Sequence, residues 1–215
     1  MKLYFSPMAC SMATRITLYE TGNDAELVQV DPKSEAYRAV NSLGLVPVLE
    51  TNDGTQLTEN GAILRYVGGP DLAPPGPSLD QWLSFIGTEL HAGVFGVILD
   101  KSASPEVKAY AVGKAKARLD WANERLAGRD FALDRFSVVD AYLVTVLGWS
   151  IVTPIDLTKW PVLMAYVARL RERPSVARAL AEELPLYLRS AEPDRKQSID
   201  EARGARLGAH DRAEG

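Results

Sequence analysis

Cys10 is the residue whose position best suits a chemical role. It follows a strand-like run, Lys2 to Phe5, and a turn that contains Pro7, so it falls at or just before the first turn of a helix. Free N–H groups and the helix dipole at such a position favour a thiolate. No second cysteine follows to complete a Cys-x-x-Cys pair. A redox role therefore needs an external small-molecule thiol, and an inert, buried cysteine is the alternative.

Two polar positions later in the chain extend this pattern. Pro47 enters a strand directly after Val46, which is tolerated at a sheet edge or with a cis peptide bond, and an ordinary trans proline is the usual outcome. Glu59 and Asn60 lie at a predicted helix start, where N–H groups attract a carboxylate and the Glu59 side chain can accept an ammonium group. Alone this is a capped helix start, but with Cys10 it suits a zwitterionic thiol peptide.

Composition excludes several classes of function. The 215 residues include 24 Lys plus Arg and 28 Asp plus Glu, and the net charge of −4 argues against nucleic-acid binding. A single cysteine forms no internal disulfide, and the two histidines are far apart in sequence, so we expect a reducing compartment and no metal site. The most apolar stretch, 141–152, is well below the ~20 residues that span a bilayer. We expect a cytoplasmic protein without a membrane span or signal peptide.

Hydrophobic periodicity divides the chain into two parts. Strand-like runs at 2–5 and 27–30 flank a helical pattern at 10–20, which predicts a parallel βαβ unit. A hairpin follows, because Asp53-Gly54 separates the strand-like runs 46–50 and 55–57, and a helix is predicted over 59–67. The glycines and prolines of 68–77 predict a non-helical linker.

After this linker the apolar period is helical. Helices are predicted to begin near Ser78, at Ser104 with an end near Gly128, at Ser137, and with Pro161 and Pro174 in their first turns. Ser137 and Asp140 form a variant of the capping box, and the segment from 141 to 149 is apolar on nearly every side, so it should be buried. Residues 189–215 hold no aromatic side chain and should form a mobile, charged tail.

Several segments in register resemble one family. The runs MKLYFSPMACS at 1–11, VPVL at 46–49 and LTENGAI at 57–63 resemble the N-terminal domain of bacterial cytosolic glutathione transferases, specifically the beta class. TELH at 88–91 and FSVVDAY at 136–142 resemble the histidine-bearing helix and the capping motif of its second domain. The resemblance covers roughly residues 1–188. It implies an α/β thioredoxin-like domain of order βαβ-α-ββα at 1–69, a linker at 70–77, an all-helical domain at 78–188 and a tail at 189–215 without counterpart.

The resemblance also implies a site. Cys10 contacts the glutathione sulfur and is able to form a mixed disulfide with it, Val46 pairs its backbone with the cysteinyl part beside a cis Pro47, and Glu59 and Asn60 hold the γ-glutamyl end.

Further residues follow from the same resemblance. His91 approaches the thiol from the helical domain, Glu89 reaches the neighbouring subunit's site in a homodimer, and Lys33 is a weaker candidate for the glycine carboxylate. A merely structural His91 is the alternative. The implied activity is glutathione transfer to a small electrophile, as in detoxification, with thiol transferase side activity. The electrophile pocket lies between the Met8 loop and the helices around His91 and Tyr142.

Three features depart from the family pattern. Met8 stands where relatives commonly have glycine, Ala92 stands where they often have lysine, and the stretch 66–82 is several residues short. Ala92 removes a positive charge that helps to hold an anionic ligand. A non-catalytic binding or regulatory protein is therefore the main alternative function. A specialised glutathione enzyme, such as a reductive dehalogenase, an ether-cleaving enzyme or a maleyl isomerase, is a third.

Overall fold

The computed structural model describes residues 1–190 and begins with a four-stranded mixed sheet of order β2-β1-β3-β4. β1 and β2 are parallel, with Leu3 opposite Leu27, and α1 connects them, so the predicted βαβ unit is confirmed. The predicted hairpin is also confirmed, because β3 pairs antiparallel with β4 and Leu49 lies opposite Leu57. The elements are β1 (Lys2–Phe5), α1 (Ser11–Thr21), β2 (Glu26–Gln29), α2 (Glu35–Arg38), β3 (Val48–Glu50), β4 (Gln56–Leu57) and α3 (Asn60–Leu72).

The sheet has its own small core. Leu3 alternates with less buried neighbours on β1, and Leu3 and Leu49 pack with Ile63 and Val67 of α3. This burial removes apolar surface from water and fixes α3, whose first turn borders the site, against the sheet.

The end of α3 differs from the predicted non-helical linker. Helix α3 runs to Leu72, and Gly69 interrupts it with φ 54° and ψ −168°. Pro70 follows this break, at the start of a new turn where its missing N–H costs no hydrogen bond. Glycine therefore permits the kink and proline the restart, so only residues 73–76 separate α3 from the next helix.

The second part of the described chain is helical. Its elements are α4 (Pro77–Ser84), a π-helical segment (Phe85–Gly96), α5 (Val97–Leu99), α6 (Pro105–Leu126), α7 (Val138–Gly148), two short 3₁₀ turns (Trp149–Val152 and Leu157–Lys159), α8 (Pro161–Arg171) and α9 (174–190). The predicted helix starts are confirmed to within a residue. The predicted tail begins too early, because α9 continues past Leu188 and the Ser190 hydroxyl donates to the carbonyl oxygen of Tyr187. The rest of the predicted tail, 191–215, lies outside the described residues.

α7 is the buried centre of the helical part, as predicted. Its capping box is present, with the Asp140 carboxylate accepting from the Ser137 backbone N–H at 2.8 Å and from the Ser137 hydroxyl at 2.9 Å. The same carboxylate accepts from the backbone N–H of Ala132 at 2.8 Å and from the Tyr166 hydroxyl at 2.6 Å. Asp140 thus joins α7 to α8 and to the loop before it, while burial raises its pKa.

The longest apolar helical stretch is Pro77–Leu99, not the 141–152 segment considered in the sequence analysis. This stretch has 23 residues and a mean hydropathy of 1.4 over an 18-residue window, so it could span a membrane by length and composition alone. Its side chains at Leu79, Ile86, Leu90 and Val94 are instead buried in the main apolar core. The packing therefore indicates a core helix.

Candidate active site

A cleft of about 880 Å³ lies between the sheet edge and the Pro77–Leu99 helical stretch. Six of the eight predicted site residues line it: Cys10, Val46, Pro47, Glu59, Asn60 and His91. A larger groove of about 980 Å³ near the segment 74–77 contains none of them. The structure thus brings together residues that are up to 81 positions apart in the sequence.

Cys10 lies at the N-cap of α1 and is 7% exposed. Its Sγ donates to the carbonyl oxygen of Val46 at 3.1 Å. Burial raises the pKa of the thiol to about 12, since the cost of burying a thiolate exceeds the stabilisation by the N–H groups of Cys10 and Ser11. The prediction of a Cys10 thiolate is therefore wrong for the site without glutathione. Desolvation raises the pKa of the thiol by more than the N–H groups at the helix start lower it.

The Val46–Pro47 peptide bond is cis, as the resemblance implies. The residue before it is fixed from two sides, because the Leu45 carbonyl oxygen accepts from the Tyr37 hydroxyl at 2.7 Å and from the Asn41 amide at 2.8 Å. These bonds hold the segment that enters β3 and place its backbone at the wall of the cleft.

Glu59 and Asn60 occupy the start of α3 in different ways. Glu59 is exposed and has φ 67°, a left-handed conformation that is uncommon outside glycine. Asn60 is buried, donates from Nδ2 to the carbonyl oxygen of Cys10 at 3.0 Å and accepts at Oδ1 from the Thr14 hydroxyl at 3.4 Å. Asn60 thus joins the starts of α1 and α3, and the Glu59 carboxylate borders the open cleft.

His91 lies in the π-helical segment, a rare geometry that is frequent at functional sites. Gly96 permits the wide turn here, because a Cβ atom on it would lie 2.9 Å from the carbonyl oxygen of His91. His91 Nδ1 lies 2.7 Å from the Tyr142 hydroxyl, and its ring packs edge-on against Trp149. Burial lowers the pKa of His91 and raises that of Tyr142, so both are neutral at neutral pH. The bond occupies Nδ1 and leaves Nε2 for another partner.

Two predicted residues lie outside the cleft lining. Lys33 is exposed and the lining includes its neighbour Pro32 instead. Glu89 pairs with Arg118 of α6, at 2.8 Å to Nη2. The single chain therefore does not bring either side chain to Cys10.

The contacts that hold the loop before Cys10 were not predicted from the sequence. Met8 has φ 61°, its N–H donates to Glu183 Oε2 at 2.6 Å, and its carbonyl oxygen accepts from Trp149 Nε1 at 2.9 Å. Glu183 is fully buried on α9 and pairs with Arg15 at 3.3 Å, yet desolvation dominates and raises its pKa to about 7. The helical part thus holds the loop of the sheet part. The available sequence signal was the position of Glu183, which falls at helical spacing on the same buried face as Val176 and Ala179.

A second cavity of about 600 Å³ adjoins the first, and Cys10 and His91 line both. Its walls are mostly apolar and include Met8, Val144, Trp149, Val152, Val176 and Leu180. Met8 thus adds an apolar contact at the position of its departure from the family pattern, whereas the exposed Ala92 lines the first cleft. The two cavities thus place a cleft lined by both polar and apolar groups and a mostly apolar cavity next to Cys10.

Comparison with known proteins agrees with this architecture. Family models described as the N-terminal and C-terminal domains of glutathione S-transferase match residues 1–69 and 85–174. Glutathione S-transferase GstA of Escherichia coli O157:H7 is 38% identical over 199 residues, which cover 85% of this chain and 98% of that protein.

Solved structures give the same result. A sphingomonad glutathione S-transferase in complex with glutathione is 41% identical, with a TM-score of 0.79 over 85% of this chain and 98% of the other. The bacterial beta-class glutathione S-transferase of Sphingomonas chungbukensis is 39% identical, with a TM-score of 0.79 over the same shares of the two chains. The chain belongs to the glutathione S-transferase family and is similar to its bacterial beta class.

Proposed function

We propose that this protein joins glutathione to a small apolar electrophile between its two domains. The glutathione thiolate attacks an electrophilic carbon atom, a C–S bond forms, and the leaving group departs with the electrons of the bond that breaks. Family membership supports the transferase class and the glutathione co-substrate. The observation that carries the proposal is that Cys10 and His91 line both the first cleft, of about 880 Å³, and the apolar cavity.

The first cleft suits the peptide part of glutathione. Val46 offers its backbone to the cysteinyl part beside Pro47, and the exposed Glu59 carboxylate accepts the ammonium group of the γ-glutamyl end. The free N–H groups at the start of α3 suit the γ-glutamyl carboxylate. Asn60 serves this end by holding α3 against α1, because its amide is bonded to Cys10 and Thr14.

Cys10 and His91 act at the sulfur. The neutral Cys10 thiol donates to the Val46 carbonyl oxygen, and a glutathione thiolate would be a stronger acceptor for the same S–H group. His91 would approach the sulfur through Nε2, with Nδ1 held by Tyr142. Lowering the pKa of the bound glutathione thiol below its ordinary value of about 8.5 is then the main contribution of the protein.

Two outer residues belong to the same proposal. Lys33 would bind the glycine carboxylate after a movement of the loop that follows Asp31. Glu89 would serve the site of a neighbouring subunit in a homodimer. Both roles need an arrangement beyond that of the single unliganded chain.

Thiol exchange through Cys10 is a side activity in this proposal. The Cys10 thiolate would attack the glutathione sulfur of a mixed disulfide, form a new S–S bond and release the substrate thiolate. A second glutathione thiolate would then attack, releasing glutathione disulfide and restoring Cys10. The raised pKa of Cys10 keeps its thiolate rare at neutral pH, so exchange should be slower than conjugation.

The setting of the reaction completes the proposal. We place the glutathione-binding domain at 1–69 and the helical domain from Pro77 onward, joined by the end of α3 and by residues 73–76, in a cytoplasmic homodimer with a role in detoxification. The single cysteine suits a reducing compartment that supplies glutathione.

Calorimetric titration of the reduced protein with glutathione and S-hexylglutathione tests the site. We expect micromolar to millimolar binding of both, and glutathione-dependent turnover of benzyl chloride. Binding without turnover would instead favour the non-catalytic binding or regulatory protein, for which the uncharged Ala92 also argues. Absence of binding by both ligands would contradict the transferase proposal.

The variant Cys10→Ala separates the two activities. We expect thiol exchange to be lost and conjugation to be only reduced, because the transferred nucleophile is the glutathione sulfur. Cys10→Ser is the matched control, since it keeps a hydrogen-bond donor without a thiol. An equal loss of both activities in Cys10→Ala, with glutathione binding retained, would contradict this division of roles.

A further inference from the structure

Among the described residues that line the apolar cavity of about 600 Å³, Arg171 is the one with a permanent charge. Arg171 ends α8, and its Nη2 lies over Gly148, since a Cβ atom on Gly148 would be 3.8 Å away. Gly148 itself lines the cavity. The Arg171 guanidinium therefore lies close to the part of the cavity wall that Gly148 forms.

Within residues 1–190, Arg171 forms no hydrogen bond or ion pair, although it is partly buried. Its neighbour on the same helix differs, because Arg169 donates to the carbonyl oxygen of Asp130 at 2.6 Å and packs over the Tyr166 ring. At the end of α8 the carbonyl oxygens of Arg169 and Leu170 accept from backbone N–H groups, and not from the Arg171 guanidinium. Arg171 is thus a cation with unused donors.

The other polar groups of the cavity are largely occupied or neutral. The Thr145 hydroxyl donates to the carbonyl oxygen of Ala141 at 2.8 Å, and Trp149 Nε1 donates to Met8. In the described part of the chain, no aspartate or glutamate lines the cavity. A ligand anion would therefore meet one cation and no competing carboxylate, in surroundings where few other groups compensate the charge.

We infer that the electrophile of this enzyme is an apolar, ring-sized compound that carries one carboxylate, and that Arg171 binds this carboxylate while the reactive carbon faces Cys10 and His91. The inference rests on the proposed function, because it assigns the second substrate of the same site. A planar guanidinium forms two parallel hydrogen bonds with a carboxylate, which selects that group over other polar substituents. Arg171 is then a specificity-determining residue.

A pair of substrates tests this assignment. Para-chloromethylbenzoate and para-chloromethylbenzamide differ only in the charged group, and in each the glutathione thiolate forms a C–S bond as chloride leaves with the bonding electrons. Each kcat/KM is divided by the rate constant of the uncatalysed reaction of the same substrate with glutathione. On this scale we expect the wild type to favour the benzoate over the benzamide by about 10-fold to about 100-fold, the range of a charge-assisted hydrogen bond.

The variant Arg171→Gln should lose this preference and retain turnover of the benzamide. Arg169→Gln is the matched control and should keep the preference, because its guanidinium is engaged outside the cavity. An equal preference in Arg171→Gln and the wild type, or the absence of a preference in the wild type, would overturn the inference while leaving the transferase proposal intact.

Binding of the two reaction products provides a readout without turnover. S-(para-carboxybenzyl)glutathione should bind the wild type more tightly than the carbamoyl analogue by a similar factor, and Arg171→Gln should bind both equally. If glutathione binds but the two conjugates bind the wild type equally, the inference fails alone. If glutathione and both conjugates fail to bind, the proposed function and the inference fail together.

Discussion

Glu183 should make the folded protein less stable as the pH rises from about 5 to about 8. The carboxylate is fully buried, and desolvation raises its pKa to about 7 from an ordinary value of 4.5. The groups that face it are the Met8 N–H, Arg15 and Glu182; the first two lower the pKa only in part, and Glu182 raises it. The folded state therefore binds the proton more tightly than the unfolded state.

The sign and size follow from proton linkage. Between the two pKa values the folded state holds more protons, so the free energy of unfolding decreases with rising pH. A difference of about 2.5 pKa units corresponds to about 3 kcal/mol in full, and to about 2.5 kcal/mol between pH about 5 and about 8. The stabilisation is complete below the unfolded pKa and is lost as the pH passes through the folded pKa.

Urea denaturation across this pH range measures the effect. Wild-type stability should fall relative to Glu183→Gln by about 2.5 kcal/mol, because the variant has no group to titrate. Glu182→Gln is the control: interactions with Tyr19 and Arg178 help to lower the pKa of Glu182, so its linkage lies at lower pH and this variant should follow the wild type. Parallel pH profiles for the wild type and Glu183→Gln would refute the reasoning.

Three further predictions concern individual contacts. Tyr142→Phe removes the hydrogen bond to His91 Nδ1 and should lower kcat/KM for conjugation by about 5-fold to about 10-fold in steady-state kinetics. The affinity for glutathione, measured by calorimetry, should change little. A change in glutathione affinity alone would argue against a positioning role for Tyr142. Asp140→Ala removes the acceptor of four hydrogen bonds and should lower the free energy of unfolding by about 4 kcal/mol. Ser137→Ala should lower it by about 1 kcal/mol. Equal losses for the two variants in urea denaturation would contradict the role of Asp140 as the centre of this network. Iodoacetamide should alkylate Cys10 slowly at neutral pH, at a rate that still rises above pH about 10, whereas a plateau near pH about 8 would show that the thiol is not desolvated.

Features with a local cause could be predicted from the sequence. Asp53-Gly54 predicts the hairpin, and Ser137 with Asp140 predicts the start of α7, because each depends on hydrogen bonds between residues close in the chain. The family resemblance, rather than a local pattern, implied eight site residues, and six of them line one cleft.

Features with a distant cause could not be predicted in this way. Glu183 is 175 residues from Met8, and no local pattern pairs a helix near the end of the described chain with a loop near its start. The pKa of Cys10 depends on burial by both domains, so the argument from the helix start gave the wrong direction. Arg171 of α8 and Gly148 of α7 line the same apolar cavity because these two helices pack together, which no local pattern predicts.

The neutral state of Cys10 is compatible with its place in a transferase. In conjugation the attacking sulfur belongs to glutathione, so the protein gains from a hydrogen-bond donor next to that sulfur, not from a second thiolate that would repel it. A raised pKa keeps the Cys10 proton in place for this purpose. The Met8 loop precedes this donor and is bonded to Trp149 and Glu183 of the helical domain. In the proposed function, stabilisation of the glutathione thiolate would therefore depend on the docked helical domain, which also carries His91 and part of the apolar cavity wall.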